Sequence, residues 1–510
     1  MFKRILIANR GLIQANCVRA VKELGATAVT VFEEEDRDSA GVRNADEAYE
    51  LKLRDTRLRP YLDLEQIVGL AEELGVDAVH PGYGFLAQNA KFARELERRG
   101  IVLISPRVDG RFNLSNKYLV KEAAKRAGLP VLKGSAMFSD REKLESAAEG
   151  LGFPVVMKAS HGYGGIGMRV IRDMRRLETA FEHVQSTCGK FLMNSPEVFL
   201  EEYVSNARLL EFPVLRDEAG RTIVFPELEC PLQRRFQKLL LETPAPHLDP
   251  DMRARLQSEV RVLCERLGIF GFASVEFLIK DDQPNFLEIN GYIQPSHTAT
   301  TLLTGVDLLK EQIRLLSGEP LEIAAGNLPR RQHVIATYIY AEDPENNFAP
   351  SPGIVDRLYL PFGEEVYMQT SIFSGASISP FYDPMVAKLL ARGRTREDAI
   401  LKMGITLDEF FVEGVRTNIP LMRGVLRSEA LLDGTLTPED IATAEKRAHL
   451  VNSLKTGNDF EIASLVAALA LHRDGETLKR MEVFDTERGS ESVLGAATRW
   501  LRPRKNRRSL

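Results

Sequence analysis

The first part of the chain alternates between short apolar runs and helical patterns. Residues 4–9 (RILIAN) are an apolar run typical of a buried strand, and from Gly11 onward apolar residues recur at helical spacing. The alternation continues with strand patterns at 27–32, 76–80 and 101–105 and a helical pattern at 64–74. Strands that alternate with helices predict a parallel α/β sheet over residues 1–112. No G-x-G-x-x-G motif follows the first strand, which disfavours a dinucleotide site.

In the middle of the chain the pattern changes, and strands outnumber helices. A small α+β unit comes first, with two strands that flank the glycine-rich loop HGYGGIG (161–167). Its other helical and strand patterns lie at 116–128, 174–187 and 197–204. From residue 209 onward, turn-like breaks separate the apolar strands LLEFPVL, TIVFPELE, FASVEFLI and NFLEIN, which predicts a larger antiparallel sheet. The sequence therefore predicts a multidomain chain that combines α/β and α+β domains.

Composition and charge narrow the class of protein. The chain has 510 residues, of which 44% are hydrophobic and 27% charged, as in a packed globular protein of about three to four domains. The net charge of −5 gives no reason to expect a nucleic-acid partner. No apolar stretch approaches the roughly 18 residues of a membrane span, and the N-terminus lacks a signal-peptide pattern. Four cysteines without metal-ligand spacing favour a reducing, cytoplasmic location.

The glycine-rich loop is a candidate phosphate site. Lys158 precedes the loop on the first flanking strand, and Arg169 follows it on the second. Glycines let backbone N–H groups close around phosphate oxygens, and Lys158 could supply the countercharge. The alternative is a plain hairpin turn.

Two carboxylates and an amide are candidate metal ligands. Glu276 lies in the strand SVEFLI, and Glu288 and Asn290 lie at alternate positions of the next strand, FLEIN. Side chains at alternate strand positions share one face, and such an oxygen set suits Mg²⁺ that also bridges nucleotide phosphates. The alternative is the polar face of a half-exposed strand.

The motifs resemble, in order, those of one family. They are IANRG, HPGYGFL, KASHGYGGIGMRV, QRRFQK, EIN-x-x-IQ, AEDP, YDPMVAKL and G-x-R-T-N. Together they resemble biotin carboxylase, the ATP-grasp component of acyl-CoA, pyruvate and related carboxylases, over roughly residues 1–446. The resemblance implies an N-terminal α/β domain (1–112), an ATP-grasp domain (113–330) with a lid near 131–203, and a C-terminal antiparallel-sheet domain (331–446) that holds the site. Beyond the resemblance, the charged stretch and the apolar helical pattern predict a helical appendix with a basic tail (447–510).

The resemblance also implies a reaction and a set of site residues. In that family, bicarbonate and ATP give carboxyphosphate, whose CO₂ is trapped by biotin on a carrier protein. ATP and Mg²⁺ (or Mn²⁺) would be the cofactors, and biotin only a carrier-bound substrate. By position, the implied residues are Lys117 and Lys158 on the phosphates, Gly164 and Gly165 in the lid loop, Glu201 at the adenine, Gln233 and Lys238 on the phosphate and bicarbonate side, Gln294 on bicarbonate, and Glu276, Glu288 and Asn290 on Mg²⁺.

This chain departs from the family pattern inside the same site. Tyr292 and Tyr338 stand where the family has arginines, and Ser296 stands where it has the glutamate that deprotonates bicarbonate. Two nucleotide-side histidines are replaced by Leu209 and Phe236, and Glu202 replaces a common lysine. If the strand continued through residue 297, His297 would point away from Ser296.

Three functions are compatible with this pattern. The favoured hypothesis is an Mg-ATP-binding protein impaired in biotin carboxylation, acting as a non-canonical ligase or as a non-catalytic subunit. The alternative is a working biotin carboxylase subunit in which His297 or Lys238 takes over the missing role. The third is a structural module that has also lost nucleotide binding, as Leu209, Phe236 and Glu202 suggest.

The expected partners follow from the same resemblance. They are a biotin carboxyl carrier protein and carboxyltransferase subunits, with a homo- or hetero-oligomer as the expected assembly. The apolar helical pattern at 462–473 could dock on another subunit or pack on its own domain, and Arg19 and Glu23 lie near the surface through which family members often dimerise.

Overall fold

The computed structural model describes residues 1–54, 59–84, 86–87, 89–108, 114–162, 165, 167–192, 197–323 and 332–453. One compact unit extends from Met1 to Arg447, and the residues from Ala448 onward belong to a second unit. Gly164, the helical pattern at 462–473 and the basic tail lie outside the described residues. Within the described part of the chain, no helix combines the length and apolarity needed to cross a membrane.

The N-terminal region contains the predicted parallel sheet. Its strands, in the order β3-β2-β1-β4-β5, are β1 (Arg4–Ile7), β2 (Thr27–Phe32), β3 (Glu47–Glu50), β4 (Ala78–His80) and β5 (Val102–Leu103). The helices are α1 (Gly11–Glu23), α2 (Ala40–Asn44), α3 (Leu64–Glu73) and α4 (Ala90–Glu97). Ile5, Leu6 and Ile7 are fully buried, as expected for a central strand with both faces covered. The edge strand β3 (EAYE) carries no apolar run, so the hydrophobic pattern does not predict it.

The glycine-rich loop belongs to a small α+β unit. Three antiparallel strands, in the order β7-β6-β8, are β6 (Val155–Ala159), β7 (Met168–Ile171) and β8 (Val198–Glu202), and the helices are α5 (Lys117–Arg126), α6 (Arg141–Leu151) and α7 (Leu177–Leu192). Gly165 in the β6–β7 loop has φ +79°, and a Cβ there would lie 2.7 Å from the Arg235 carbonyl oxygen. Only glycine fits this close approach between the loop and the turn of the QRRFQK segment.

The large antiparallel sheet positions most of the candidate site. Within the described residues, eight strands follow the order β14-β13-β9-β11-β12-β15-β22-β20, and β10 pairs with β9. They are β9 (Arg208–Arg216), β10 (Thr222–Val224), β11 (Leu228–Arg234), β12 (Gln237–Thr243), β13 (Gly271–Lys280), β14 (Gln283–Asn290), β15 (His333–Tyr340), β20 (Val366–Thr370) and β22 (Met385–Gly393). β12 pairs with β15, so one sheet contains strands of both the implied ATP-grasp domain (113–330) and the implied C-terminal domain (331–446).

Helices and short strand pairs complete the described chain. The helices are α8 (Pro250–Arg266), α9 (His297–Thr304), α10 (Leu308–Leu316), α11 (Arg396–Glu409), α12 (Ile419–Leu426), α13 (Glu429–Leu432) and α14 (Ala444–Asn452). The short strands are β16 (Glu342–Asp343), β17 (Ala349–Pro350), β18 (Gly353–Ile354), β19 (Arg357–Tyr359), β21 (Ser377–Ile378) and β23 (Phe411–Glu413). A core of aromatic residues lies under the sheet, where Phe277 packs edge-to-face against Phe212 and Phe286.

Candidate active site

The three candidate metal ligands lie together on β13 and β14. Glu276 is directly opposite Glu288 in the strand pairing. The Asn290 amide nitrogen donates to Glu276 Oε1 at 3.2 Å and to Glu288 Oε1 at 3.1 Å. In the described part of the chain, no group of three or more His, Cys, Asp or Glu side chains is placed to hold a metal ion. The donor set is two carboxylates and an amide, which fits Mg²⁺ only if phosphate oxygens and water supply its remaining ligands.

The candidate phosphate lysines are paired with carboxylates, one partly buried and one buried. Lys117, at the start of α5, forms an ion pair with Glu288. Glu201 is shared between Lys158 and Lys121, the latter at 2.6 Å. Burial opposes ionisation of Glu201, but the two lysines outweigh it and hold its pKa below the usual value. Lys121 is a cation that the motifs did not single out.

The remaining nucleotide-side candidates are placed around this charged cluster. Gln233 on β11 pairs directly with Lys238 on β12. Leu209 is buried in β9, whereas Phe236 lies in the turn between β11 and β12 with φ +66° and is partly exposed. Glu202 accepts a hydrogen bond from the backbone N–H of Lys133 at 3.0 Å. Leu209, Phe236 and Glu202 therefore supply no cation for a phosphate.

Lys238 lies between two carboxylates. Its Nζ is 2.5 Å from Glu211 Oε2, 2.8 Å from Glu276 Oε1 and 3.2 Å from Gln294 Oε1. Burial disfavours the ammonium, but the two carboxylates outweigh it and raise the pKa of Lys238 well above its usual value. Lys238 is therefore a cation in this site and is not available as a base near neutral pH.

Ser296 contacts a carboxylate that the motifs did not single out. Its hydroxyl donates to Glu211 Oε1 at 2.7 Å, and both residues are buried. Glu211 is the acid in the apolar strand LLEFPVL, so the sequence contained the signal, but the partner is 85 residues away along the chain. The Glu211 carboxylate is therefore hydrogen-bonded to Ser296, the residue that stands at the position of the family glutamate.

The strand does not continue to His297, contrary to the expectation that Ser296 and His297 point to opposite faces of a strand. β14 ends at Asn290, and α9 begins at His297. The His297 ring donates through Nδ1 to the Gln294 carbonyl at 2.7 Å, and burial lowers its pKa to about 3. His297 is neutral and oriented by the backbone, so it fixes the segment that carries Gln294.

The two tyrosines at the family arginine positions are neutral. Burial raises the pKa of Tyr292 and of Tyr338 above the usual value, and nearby carboxylates act in the same direction. Tyr338 is 2% exposed, and its Oη has no hydrogen-bond partner among the described residues. This side of the site therefore offers hydroxyl groups where the resemblance implies guanidinium groups.

Three family models match the chain in order. They are the biotin carboxylase N-terminal domain over residues 1–110, the ATP-binding domain of the carbamoyl-phosphate synthase L chain over 116–324, and the biotin carboxylase C-terminal domain over 337–443.

Curated proteins and solved structures of similar length also match. The chain is 38% identical over 483 residues to a pyruvate carboxylase subunit of Methanothermobacter thermautotrophicus, an alignment that covers 94% of this chain and 95% of the relative. It is 38% identical over 436 residues to biotin carboxylase of Haemophilus influenzae, with coverage of 85% and 97%. One matching solved structure is the biotin carboxylase domain dimer of Hydrogenobacter thermophilus 2-oxoglutarate carboxylase, in complex with MgADP, ADP and bicarbonate. The match has a TM-score of 0.82 and 36% sequence identity, and it covers 88% of this chain and 99% of that chain.

Proposed function

The chain belongs to the biotin carboxylase family, and we propose that it is a working biotin carboxylase subunit in which Glu211, acting through Ser296, replaces the missing glutamate. This is the alternative of the three hypotheses, except that Glu211 takes the role that the hypothesis gave to His297 or Lys238. It is better supported than the favoured hypothesis of an impaired subunit, because relatives matched over nearly their whole length are named as carboxylases or their subunits.

The observation that carries the proposal is the Glu211–Ser296 hydrogen bond of 2.7 Å. A serine hydroxyl is a weak base without a partner, but a carboxylate can accept its proton. The same carboxylate contacts Lys238 at 2.5 Å, and Lys238 contacts Gln294. A carboxylate, a hydroxyl, a cation and an amide therefore converge where the resemblance implies bicarbonate.

These groups can activate bicarbonate through a proton relay that precedes the transfer of the phosphoryl group. Bicarbonate gives its proton to the Ser296 hydroxyl oxygen while the hydroxyl proton moves to Glu211. A bicarbonate oxygen then forms a bond to the γ-phosphorus of ATP as the β–γ bridging bond breaks, and ADP leaves. Lys238 and Gln294 hold the bicarbonate and balance its charge. The transfer depends mainly on positioning and charge neutralisation, so a weakly basic relay is sufficient.

The nucleotide side supplies the charges that a triphosphate needs. With a nucleotide bound, Lys117 and Lys158 would each exchange a carboxylate for a phosphate oxygen, and Glu276, Glu288 and Asn290 would hold Mg²⁺. Bound Mg²⁺ neutralises charge on the phosphates. Glu276 and Glu288 have different environments: burial raises the pKa of Glu276, whereas Lys117 overcomes burial and lowers that of Glu288.

The acceptor in this proposal is biotin on a carrier protein, and the assembly contains a carboxyltransferase subunit. The relatives' names supply that support, since they include subunits of a pyruvate carboxylase and of a 2-oxoglutarate carboxylase. In this proposal the Tyr338 hydroxyl donates to the biotin ureido oxygen, and its lack of a hydrogen-bond partner among the described residues supports that role.

A second candidate function is an ATP-binding subunit without carboxylation. The neutral Tyr292 and Tyr338 favour it, because both stand where a cation would stabilise developing negative charge.

Bicarbonate-dependent ATP hydrolysis separates the two candidates. ATP turnover by the full chain is measured with and without bicarbonate, and again with free biotin, alongside the shift in melting temperature caused by Mg-ADP. The proposal expects a melting shift and bicarbonate-dependent turnover that rises with biotin. A melting shift without such turnover would establish the second candidate, and no melting shift would identify a module that has lost nucleotide binding.

A further inference from the structure

Lys388 is a buried lysine that the proposed reaction leaves unused. It lies in the middle of β22 with an exposed fraction of 0%. In the sheet it pairs with Tyr338 of β15 on one side and Gln369 of β20 on the other. The motif YDPMVAKL contains it, and the sequence alone gives it no role.

The polar contact of Lys388 leads to the bicarbonate side of the site. Its Nζ donates to the Pro295 carbonyl oxygen at 3.4 Å. Pro295 joins Gln294, which contacts Lys238, to Ser296, which contacts Glu211. Residues 294–296 are therefore contacted by the side chains of Lys238 and Glu211 and, at the Pro295 carbonyl, by Lys388.

Stability does not explain a lysine at this position. Among the described residues, no carboxylate acts on Lys388, and burying an unpaired ammonium is unfavourable. Burial lowers the pKa of Lys388 to about 7, so the charged form is disfavoured. An apolar residue of the same length would fill this space with less penalty.

The hydrogen bond that Lys388 Nζ donates is to the Pro295 carbonyl oxygen. The groups that face Lys388 are Cys17 of α1 and His297 of α9, together with Tyr338 and Gln369 on the paired strands. His297 donates to the Gln294 carbonyl and so fixes the same segment one residue earlier.

We infer that Lys388 is a positioning residue of the bicarbonate pocket, whose amino group holds the Pro295 carbonyl and thereby fixes Gln294 and Ser296 toward bicarbonate. The inference rests on the proposed function for its kinetic consequence, but its structural consequence can be measured independently. Lys388 lies on β22, in the C-terminal part of the sheet, and Pro295 lies just before α9. A strand of the C-terminal part of the sheet would therefore control the geometry of residues 294–296.

The test uses Lys388→Met, which keeps the length of the side chain and removes the donor. Lys402→Met is the matched control, because Lys402 lies on α11 of the same region and contacts Asp398 and the Arg392 carbonyl, away from the site. Amide hydrogen exchange is followed at His297 and Ala299, whose N–H groups donate to the carbonyls of Gln294 and Ser296. The Michaelis constants for bicarbonate and for Mg-ATP are measured on the same samples.

In Lys388→Met we expect exchange at His297 and Ala299 to accelerate and the Michaelis constant for bicarbonate to rise, each by about tenfold, as for loss of one hydrogen bond. In Lys388→Met the Michaelis constant for Mg-ATP should not change and the melting temperature should not fall. Lys402→Met should match the unmodified chain in exchange at His297 and Ala299 and in the Michaelis constant for bicarbonate. A purely structural lysine would instead lower the melting temperature and leave the bicarbonate constant unchanged.

Two results would overturn the inference: wild-type exchange at residues 297–299 in Lys388→Met, or the same acceleration in Lys402→Met. If the chain shows no bicarbonate-dependent turnover at all, the proposed function fails and the exchange measurement alone decides the role of Lys388. Should the methionine variant fold poorly, Lys388→Gln replaces it, because the glutamine side chain is shorter than lysine and its amide stops short of the Pro295 carbonyl.

Discussion

The nucleotide side and the acceptor side of the site are built from different kinds of groups. On the nucleotide side, Lys121 and Lys158 share the buried Glu201, and Lys117 is paired with the partly buried Glu288. On the acceptor side, the residues at the family's charged positions are the neutral Tyr292, Ser296 and Tyr338. A triphosphate needs cations that can leave their partners, whereas a singly charged bicarbonate can be held by one ion pair.

The Glu211–Lys238 pair lies at the border between the two sides. It joins Glu276, a candidate metal ligand, to Gln294 and Ser296 through direct hydrogen bonds. In the proposed function, the Glu211 carboxylate replaces the glutamate missing at Ser296, which it contacts, and Lys238 is the cation that lies beside it. Variants that change one side and leave the other intact test this contrast.

The largest effect is expected from Glu211→Gln, which removes the charge on the border between the two sides. Loss of the proton acceptor should lower bicarbonate-dependent ATP turnover by about 10²–10⁴-fold, as for a general base, while the Mg-ADP melting shift remains. Glu229→Gln is the control, because Glu229 is also buried in the sheet but pairs with Arg208 outside the site. Equal turnover in the two variants would remove Glu211 from the mechanism.

A large loss of stability is expected from Glu201→Gln on the nucleotide side. Lys121 and Lys158 would both lose their shared carboxylate, and breaking a buried ion pair typically costs about 3–5 kcal/mol of unfolding free energy. Ser296→Ala on the acceptor side removes one neutral donor and should cost only about 1 kcal/mol. Denaturant unfolding measures both, and similar losses would erase the contrast between the two sides.

Stability should depend on pH through Lys388. Its folded pKa of about 7 lies below the ordinary 10.5, so between these values the unfolded chain binds more protons and stability rises with pH. From pH 7 to pH 9 this contribution is about 2 kcal/mol, and it should be missing in Lys388→Met. Urea unfolding of both proteins at the two pH values gives the difference, and a parallel pH response in the variant would contradict a buried, neutralised lysine.

The smallest effect is expected from Tyr338→Phe. Because the Tyr338 hydroxyl has no partner among the described residues, its removal should raise the free energy of unfolding by about 1 kcal/mol. Tyr340→Phe is the matched control, since the Tyr340 hydroxyl donates to the Lys238 carbonyl at 3.3 Å and its loss should be destabilising. Biotin stimulation of ATP turnover should fall in Tyr338→Phe, and an unchanged stimulation would remove Tyr338 from the acceptor site.

Much of the fold could be predicted from local patterns. The apolar run TAVTVF corresponds to β2, and the helical pattern that starts at Gly11 corresponds to α1. The polar edge strand β3 could not be predicted, because an edge strand needs little apolar surface and EAYE has little. The end of β14 at Asn290 agrees with the predicted strand NFLEIN, but the helix α9 that begins at His297 was missed. Ser296 precedes that helix without a side-chain cap hydrogen bond, because its hydroxyl donates to Glu211 instead.

The candidate site was predictable where ligands are close in sequence. Glu288 and Asn290 share a strand face through their spacing alone, and Glu276 precedes them by one strand. Glu211 and Lys388 were missed because their roles depend on Ser296 and Pro295, which are 85 and 93 residues away along the chain. Only the tertiary fold brings these pairs together.

The most direct test of the central claim is ATP-dependent transfer of labelled bicarbonate onto free biotin. We expect the unmodified chain to form labelled carboxybiotin in the presence of Mg-ATP, and we expect Glu211→Gln to form almost none while still binding Mg-ADP. If the unmodified chain binds Mg-ADP but forms no labelled carboxybiotin, the Glu211–Ser296 pair does not replace the missing glutamate and the chain is not a working carboxylase.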